Sequence, residues 1–182
     1  MGLIASLKRL VARGSSAPVE RLYSAVVGEA RRPGWYTQGQ VPDTLDGRFD
    51  MIVLVLSLLL LRLEEETGRN PRHPAAQLSA DLADHFLTDM EGNLIQDGIG
   101  EQVVPKHLGK MMAALGGRLG AYRGARGDAE AMADAIRRNL LRGADAPEAA
   151  VQWLVAEAGR LSARLTATPF TRLAAGEMET TA

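Results

Sequence analysis

The feature that most constrains the fold is an apolar run from Met51 to Leu61, in which Ser57 is the one polar residue. Charged residues, Asp50 and Arg62, stand directly before and after it. A helix that spans a bilayer needs about 20 apolar residues, so the run is too short to cross a membrane. A helix that is apolar on every face must instead be enclosed by other elements. The run therefore predicts a central buried helix with several helices packed around it.

The composition favours helices in the rest of the chain as well. The 182 residues are 46% hydrophobic but only 4% aromatic, so the core must be built from Leu, Ala, Val and Met, and most of these are strong helix formers. We expect an all-α fold, a single compact domain of about six helices around the central one. A net charge of −1 gives no general attraction to nucleic acid, and we expect no DNA partner. The absence of cysteine excludes disulfides, thiolate nucleophiles and cysteine-ligated metals.

Start and stop signals place six helices along the chain. We expect them at about 16–32, 47–66, 75–90, 104–123, 128–141 and 147–168. Asp46 is a candidate N-cap of the second helix, and Asp128 of the fifth, because short polar side chains satisfy the free N–H groups of a first helical turn. The segment 33–46 is expected to be a loop. The domain organisation is then a helical domain at 16–168 between an N-terminal segment, 1–15, and a disordered tail, 169–182.

The first fifteen residues form a basic amphipathic segment in sequence. Its apolar and basic side chains fall on different faces of a helix, and the residues expected at a membrane surface are Leu3, Leu7, Lys8, Arg9, Leu10 and Arg13. Segments of this kind bind anionic membrane surfaces. A packed or frayed terminus explains the same pattern, so both interpretations stay open. No secretory signal follows the basic start, and we expect a cytoplasmic location.

One face of the third helix carries a pattern that resembles a metal site. Asp81, His85 and Asp89 recur every fourth residue, and carboxylates with an imidazole can hold a divalent metal. Polar residues more often mark the solvated face of an amphipathic helix. We therefore expect no metal and no cofactor.

The segment 89–100 imitates a calcium-binding EF-hand loop. Its sixth position is Leu94 and its twelfth is Gly100, where calcium loops have Gly and Glu. Calcium is excluded on this pattern, and 91–101 is expected to be a loop between helices with carboxylates at its rim.

The fourth helix combines glycines with a basic continuation. Gly116, Gly120 and Gly124 recur every fourth residue, and each costs about 1 kcal/mol relative to Ala. Close packing against a neighbouring helix would offset that cost, and a groove for a partner helix is the alternative. Two interpretations are open for the six arginines of the stretch 118–142: a solvated helix face, or a surface that binds phosphates of lipid or RNA. These arginines are Arg118, Arg123, Arg126, Arg137, Arg138 and Arg142.

No pattern in the sequence supports an enzyme. We find no Ser/His/Asp arrangement, no acid/base pair of carboxylates and no phosphate-binding glycine loop. We expect no catalytic residue.

A series of motifs resembles the ubiquinol–cytochrome c chaperone family. The most specific block is 41–54, Val-Pro-Asp-Thr-Leu-Asp-Gly-Arg-Phe-Asp-Met-Ile-Val-Leu. The other motifs are Tyr23, Ala30-Arg31, Pro33, Tyr36, Phe86, Asp89-Met90, Asn93-Leu94, Gly98-Ile99-Gly100, Val104-Pro105-Lys106, Met111, Gly117-Arg118, Ala121-Tyr122 and Arg138-Asn139-Leu140. The chain departs from the family pattern at Val55, at 95–97 and at 115–116, which leaves the partner detail of the 89–101 loop open. The resemblance covers about residues 20–142, so the last forty residues are expected to lie outside it.

The resemblance implies a non-enzymatic, all-helical chaperone without a cofactor. Such a protein would bind newly made cytochrome b and assist biogenesis of the cytochrome bc1 complex. The implied partners are cytochrome b or another bc1 subunit and the inner-membrane surface, with ribosome contact as an open question. The implied location is cytoplasmic, peripherally associated with the inner membrane. A helical adaptor, or a lipid- or protein-binding module with a different client, is the alternative.

The expected client-binding residues surround the start of the second helix and the loop after the third. They are Asp43, Thr44, Asp46, Arg48, Asp50, Asp89 and Asn93. Charged side chains crowd there at the mouth of an apolar helix, and either helix capping or recognition explains them. We expect Arg48 to pair with a nearby carboxylate and to shape the client surface. A role in stabilising the fold alone is the alternative.

Overall fold

This computed structural model describes residues 16–96 and 98–179. They contain eight α-helices and no β-strand. In chain order they are α1 (Ala17–Ala30), α2 (Pro33–Thr37), α3 (Leu45–Arg69), α4 (Ala75–Gln96), α5 (Val104–Gly124), α6 (Ala129–Asn139), α7 (Glu148–Ala167) and α8 (Phe170–Ala174). The six long helices correspond to the six expected from the sequence. The predicted all-α fold is confirmed.

The centre of the molecule is α3, whose residues from Met51 to Leu63 are all buried. Helices α1, α4, α5 and α7 pack directly on it, and successive neighbours α1–α4, α4–α5, α5–α6 and α6–α7 pack on one another. Each fully buried Leu in α3 contributes about 1.5–3 kcal/mol. The predicted central apolar helix is therefore confirmed, and none of the helices in the described ranges is long and apolar enough to cross a membrane.

Helix α3 runs antiparallel to α4 and parallel to α7. Phe49 at the start of α3 contacts Phe86 in the second half of α4, with ring centroids 6.1 Å apart. Near the other end of α3, the Arg62 Nε donates to the carbonyl of Leu165, close to the end of α7. The start of α3, the connection between α4 and α5 and the connection between α6 and α7 therefore lie at one end of the bundle. We call it the loop end and define it as the segments 31–50, 89–112 and 139–148.

Two segments expected to be loops are partly helical. α4 continues to Gln96 because Met90 and Leu94 extend its buried face beyond Phe86. α2 forms within the expected loop 33–46, where Trp35 is fully buried and its indole N–H donates to the Glu29 carbonyl at 2.9 Å. In both places burial in the tertiary structure outweighs the glycines that suggested a loop.

The segment expected to be a disordered tail instead packs on the domain as far as residue 179. Leu173 in α8 is fully buried, and the Arg21 guanidinium donates to the Ala175 carbonyl at 2.9 Å. A Cβ at Gly176 would lie 2.5 Å from the Pro18 carbonyl oxygen. A five-residue helix shows no readable periodicity, which is why the sequence pattern missed it. Segment 1–15, with its expected membrane-surface residues, lies outside the described residues and stays a prediction.

A buried network of charges joins α1 to α7. Glu29 and Glu157 are both buried, and the Arg32 Nη1 lies 2.6 and 2.8 Å from their carboxylates. The Arg160 Nε donates to Glu157 at 2.7 Å. Burial alone would raise the pKa of Glu157, but the hydrogen bonds from Arg32 and Arg160 outweigh it and hold the pKa below its ordinary value.

We expect Glu157 to contribute stability that disappears in acid. Because its pKa is lower in the folded chain, the carboxylate stabilises the fold above its ordinary pKa of 4.5, and this stabilisation is lost as pH falls towards the folded-state pKa. Glu157→Gln should therefore unfold at lower urea than the wild type at neutral pH, and the difference should shrink below about pH 5. Urea unfolding across that range measures it. A difference independent of pH would contradict the prediction.

Candidate functional site

The candidate site begins with the turn that leads into α3. The Thr44 N–H donates to the Pro42 carbonyl at 2.9 Å, and the Thr44 hydroxyl accepts from the Gly47 N–H at 3.1 Å. Thr44 is therefore the N-cap, and the prediction that Asp46 caps the helix is wrong. The turn is so tight that a Cβ at residue 47 would lie 1.9 Å from the Pro42 carbonyl oxygen, and only glycine fits.

Asp43 and Arg48 form an ion pair on the outside of this turn. The Arg48 Nε donates to Asp43 Oδ1 at 2.7 Å, and the two side chains remain 55% and 60% exposed. The predicted pairing of Arg48 with a nearby carboxylate is confirmed. The hydrogen bond from Arg48 lowers the pKa of Asp43. Because exposed ion pairs contribute little to stability, the main effect of this pair is on the shape and charge of the surface.

Asp50 is a buried carboxylate that links three segments. Its side chain has no exposed surface, and its Oδ1 lies 2.6 Å from Arg118 Nη1. The Arg142 Nε donates to its other oxygen at 2.6 Å, and the same guanidinium reaches Asp46 at 2.7 Å. Asp50 therefore ties α3 to α5 and to the turn after α6. Because its side chain is enclosed by these groups, its exposure gives no support to the predicted contact with a client.

A cavity of about 370 Å³ lies between the α3 entrance and the turn after α6. Arg142 and Gly143 in that turn both have left-handed backbone conformations, with φ of 52° and 72°. This conformation brings the Arg142 side chain back over Asp46 and Asp50. The cavity is lined by Pro42, Thr44, Asp46, Gly47, Asp50, Leu140, Leu141, Arg142, Gly143 and Ala144. Its charged side chains, Asp46, Asp50 and Arg142, are thus already paired with one another.

Asp89 and Asn93 lie on α4 at the same loop end. Asp89 Oδ2 accepts a hydrogen bond from the Tyr23 hydroxyl at 2.8 Å, and the Asn93 amide lies 3.5 Å from the other carboxylate oxygen. Burial first, and the Asp89 charge second, raise the pKa of Tyr23, so the phenol stays a donor to Asp89. Asn93 is exposed. The structure therefore brings the two predicted groups of site residues to one end of the bundle.

The polar face of α4 has structural partners. The His85 ring stacks edge-on against Tyr23 with centroids 4.8 Å apart, and Asp81 accepts from the Gln77 amide at 2.8 Å. Within residues 16–96 and 98–179, no group of three His, Asp or Glu side chains could hold a metal ion. The metal interpretation of this face thus gains no support.

The arginines of the stretch 118–142 lie against carboxylates. Besides the two at Asp50, Arg137 lies 2.5 Å from Glu148. The remaining pairs are Arg123 with Glu64, Arg126 with Glu65 and Arg138 with Asp134. Much of the positive charge of this stretch is therefore balanced, which weakens the interpretation as a phosphate-binding surface. Except for Arg138 with Asp134, which are one turn apart in α6, these partners are distant in the chain and leave no local signal in the sequence.

Sequence reasoning missed an apolar surface at the loop end. In the described part of the chain, four large apolar side chains are 38–74% exposed, and all four lie there. They are Leu45, Ile95, Val103 and Met112. Exposed apolar side chains that form one patch mark interaction sites, so these four are candidate contact residues. The available signal was the position of Leu45, Ile95 and Val103 at helix ends, where an apolar residue is less often covered by a neighbouring helix. Met112 lies within α5 and gave no such signal.

The glycines of α5 face open space. A Cβ at Gly116, Gly120 or Gly124 would have no neighbouring atom within 4 Å. The interpretation that these glycines allow close packing of a neighbouring helix within the domain is therefore wrong.

Gly116→Ala is expected to stabilise the fold by about 1 kcal/mol, because alanine costs less in a helix and nothing lies in its way. Urea unfolding measures the change. Gly39→Ala is a matched control of opposite sign, since its Cβ would lie 2.5 Å from Leu154 Cδ2 and 2.6 Å from the Trp35 carbonyl oxygen. Loss of stability in Gly116→Ala would show that the glycine is needed within the folded chain.

Comparison with known proteins identifies the family. The family model described as ubiquinol-cytochrome C chaperone matches residues 37–181, so the expectation that the last forty residues lie outside the family is wrong. No curated protein matches the chain. The crystal structure of the Cbp3 homolog from Brucella abortus is similar, with a TM-score of 0.78 and 33% sequence identity over 99% of this chain and 97% of that one. The chain therefore belongs to the ubiquinol–cytochrome c chaperone family.

Proposed function

We propose that this protein is an assembly chaperone that binds newly made cytochrome b and assists biogenesis of the cytochrome bc1 complex. The observation that carries the proposal is the family match over residues 37–181. The exposed apolar side chains of Leu45 and Ile95 at the loop end add a physical reason. A membrane protein exposes apolar helices before it is assembled, and a helical domain with an apolar surface can cover them. The place of work would be the cytoplasmic side of the inner membrane.

The client site we propose is the exposed part of the loop end at the start of α3 and the end of α4. Leu45, 74% exposed, stands at the first position of α3 between Thr44 and Asp46. Since α3 is buried along most of its length, this apolar side chain is held on a rigid base. The exposed carboxylates of Asp43 and Asp46 flank it. Because Arg48 and Arg142 already pair with these carboxylates, the surface suits the apolar part of a client segment better than a basic one. Asp89 and Asn93 would extend the same surface along α4.

The first experiment is an affinity pull-down from native membranes in mild detergent, read by mass spectrometry. We expect enrichment of cytochrome b with few mature bc1 subunits, as an early assembly chaperone requires. Reproducible capture of a different partner without cytochrome b would contradict the proposal and favour a helical adaptor with another client.

Arg48→Ala is expected to weaken client binding at least fivefold, as removal of a contributing interface residue does. The thermal unfolding midpoint should stay almost unchanged, because the pair with Asp43 is exposed. Binding of the purified variant to detergent-solubilised cytochrome b measures the effect. Arg72→Ala removes an exposed arginine from the opposite end of the bundle and serves as the control. Normal binding by Arg48→Ala would remove Arg48 from the client surface.

A further inference from the structure

The first half of α5 has a solvent-exposed face with an unusual composition. Gly109, Met112, Ala113 and Gly116 are exposed along it. A Cβ at either glycine would find no atom within 4 Å, so no other part of the described structure covers this face. Val103, exposed directly before the helix, adds to its apolar surface. The face is thus smooth, weakly apolar and unpartnered.

Two lysines border this face, and they differ from the arginines of the domain. Lys106 and Lys110 are one helical turn apart, so they line the same edge. Neither makes an ion pair with a carboxylate in the described residues, whereas Arg118 on the same helix is held by Asp50. The sequence from residue 102 to residue 117 contains no Asp or Glu. This half of α5 therefore carries positive charge that its own helix does not balance.

We propose that this face of α5 lies on an anionic lipid surface. An exposed helix face that combines apolar side chains with lysines and lacks acidic residues is typical of helices that lie in a membrane interface. The lysine stems can lie along the interface while their ammonium groups reach lipid phosphates. Glycine and alanine between them let the helix axis approach the headgroups closely. An apolar client helix would cover the glycines but would leave both lysines without a counter-charge, which favours lipid as the occupant.

The inference rests on the proposed function only for the membrane as the place of work, and no client takes part in its test. The full chain is mixed with vesicles of phosphatidylcholine alone or with about one-third phosphatidylglycerol, and bound protein is measured by flotation. We expect binding only to the anionic vesicles. Lys106→Gln combined with Lys110→Gln should lower the partition coefficient about 30-fold, since each lysine near such a surface contributes about fivefold.

A matched control distinguishes binding through this face of α5 from a general effect of positive charge. Arg69→Gln combined with Arg72→Gln removes the same charge from exposed positions at the opposite end of the bundle, and should change binding little. An equal loss in both double variants, or none in the lysine variant, would overturn the proposal. So would complete loss of binding in Lys8→Gln combined with Arg9→Gln while the α5 lysines have no effect, since the N-terminal segment would then make the whole contact.

Direct contact can be read from a single fluorescent label, because the chain has no cysteine. A polarity-sensitive dye at Met112→Cys should shift to the blue with anionic vesicles. The same dye at Ala156→Cys, exposed on α7, should not shift. A shift at residue 156 alone, or silence at residue 112 with bound vesicles, would overturn the assignment and leave the α5 face to a protein helix. Failure here leaves the cytochrome b pull-down unaffected, so the two proposals fail separately.

Discussion

Asp50→Asn is expected to lower the free energy of unfolding by about 3–5 kcal/mol, the range seen when one partner of a buried ion pair is removed. The substitution keeps the size of the side chain, so the effect is electrostatic. Arg118 and Arg142 would be left facing one another across a neutral amide, and Arg118 is largely buried, with 13% of its side chain exposed. Urea unfolding measures the loss.

Asp43→Asn is the matched control for Asp50→Asn. It removes the same charge from the same entrance of α3, but from an exposed pair, and little change in stability is expected. A second test combines Asp50→Asn with Arg118→Met. The Met substitution should cost much less in the Asn background than in the wild type, because the buried cation it removes has already lost its partner. Equal costs in both backgrounds, or a stable Asp50→Asn variant, would show that the cluster does not hold the three segments together.

Gly47→Ala is expected to cost about 3 kcal/mol or more, at the upper end of what overpacking costs. The new Cβ would lie 1.9 Å from the Pro42 carbonyl oxygen, and a backbone oxygen cannot move aside as a flexible side chain can. The turn must open, which breaks the Thr44 cap and displaces the Asp43–Arg48 pair. Client binding should therefore fall together with stability.

Gly68→Ala lies in the same helix and is the control for Gly47→Ala. No atom lies within 4 Å of its added Cβ, so stability should stay the same or rise by up to about 1 kcal/mol. Urea unfolding compares the two variants, and circular dichroism checks that both remain helical. If Gly47→Ala were as stable as Gly68→Ala, the close approach of the turn to α3 would not be needed for the fold.

For α3, the local sequence pattern predicts the helix itself but not the residues that cap it or pack against it. An apolar run of this length has to be enclosed, so the sequence predicted a central helix and it is found. The same run says nothing about which neighbour covers each side. Asp46 was a reasonable N-cap by residue type, yet Thr44 caps the helix because the turn at Pro42 brings its hydroxyl to the Gly47 N–H.

In the candidate site, too, contacts between residues close in sequence could be predicted, whereas contacts between distant residues could not. The pairing of Arg48 with Asp43, five positions apart, could be predicted from the sequence. The pairing of Asp50 with Arg142, 92 positions apart, was not. The exposed face of α5 was also hidden, since glycines at this spacing suit either close packing or open surface, and only the positions of the other helices distinguish the two.

The sequence by itself determined the all-helical class, the six long helices, the buried centre and the family, because hydrophobic periodicity, capping residues and ordered motifs act over a few residues at a time. The tertiary structure alone decided that Asp50 is buried, that most of the 118–142 arginines are paired and that four apolar side chains remain exposed at one end. The reason is physical: burial and ion pairing depend on the distances between helices far apart in the chain, and those distances are set only when the whole bundle packs.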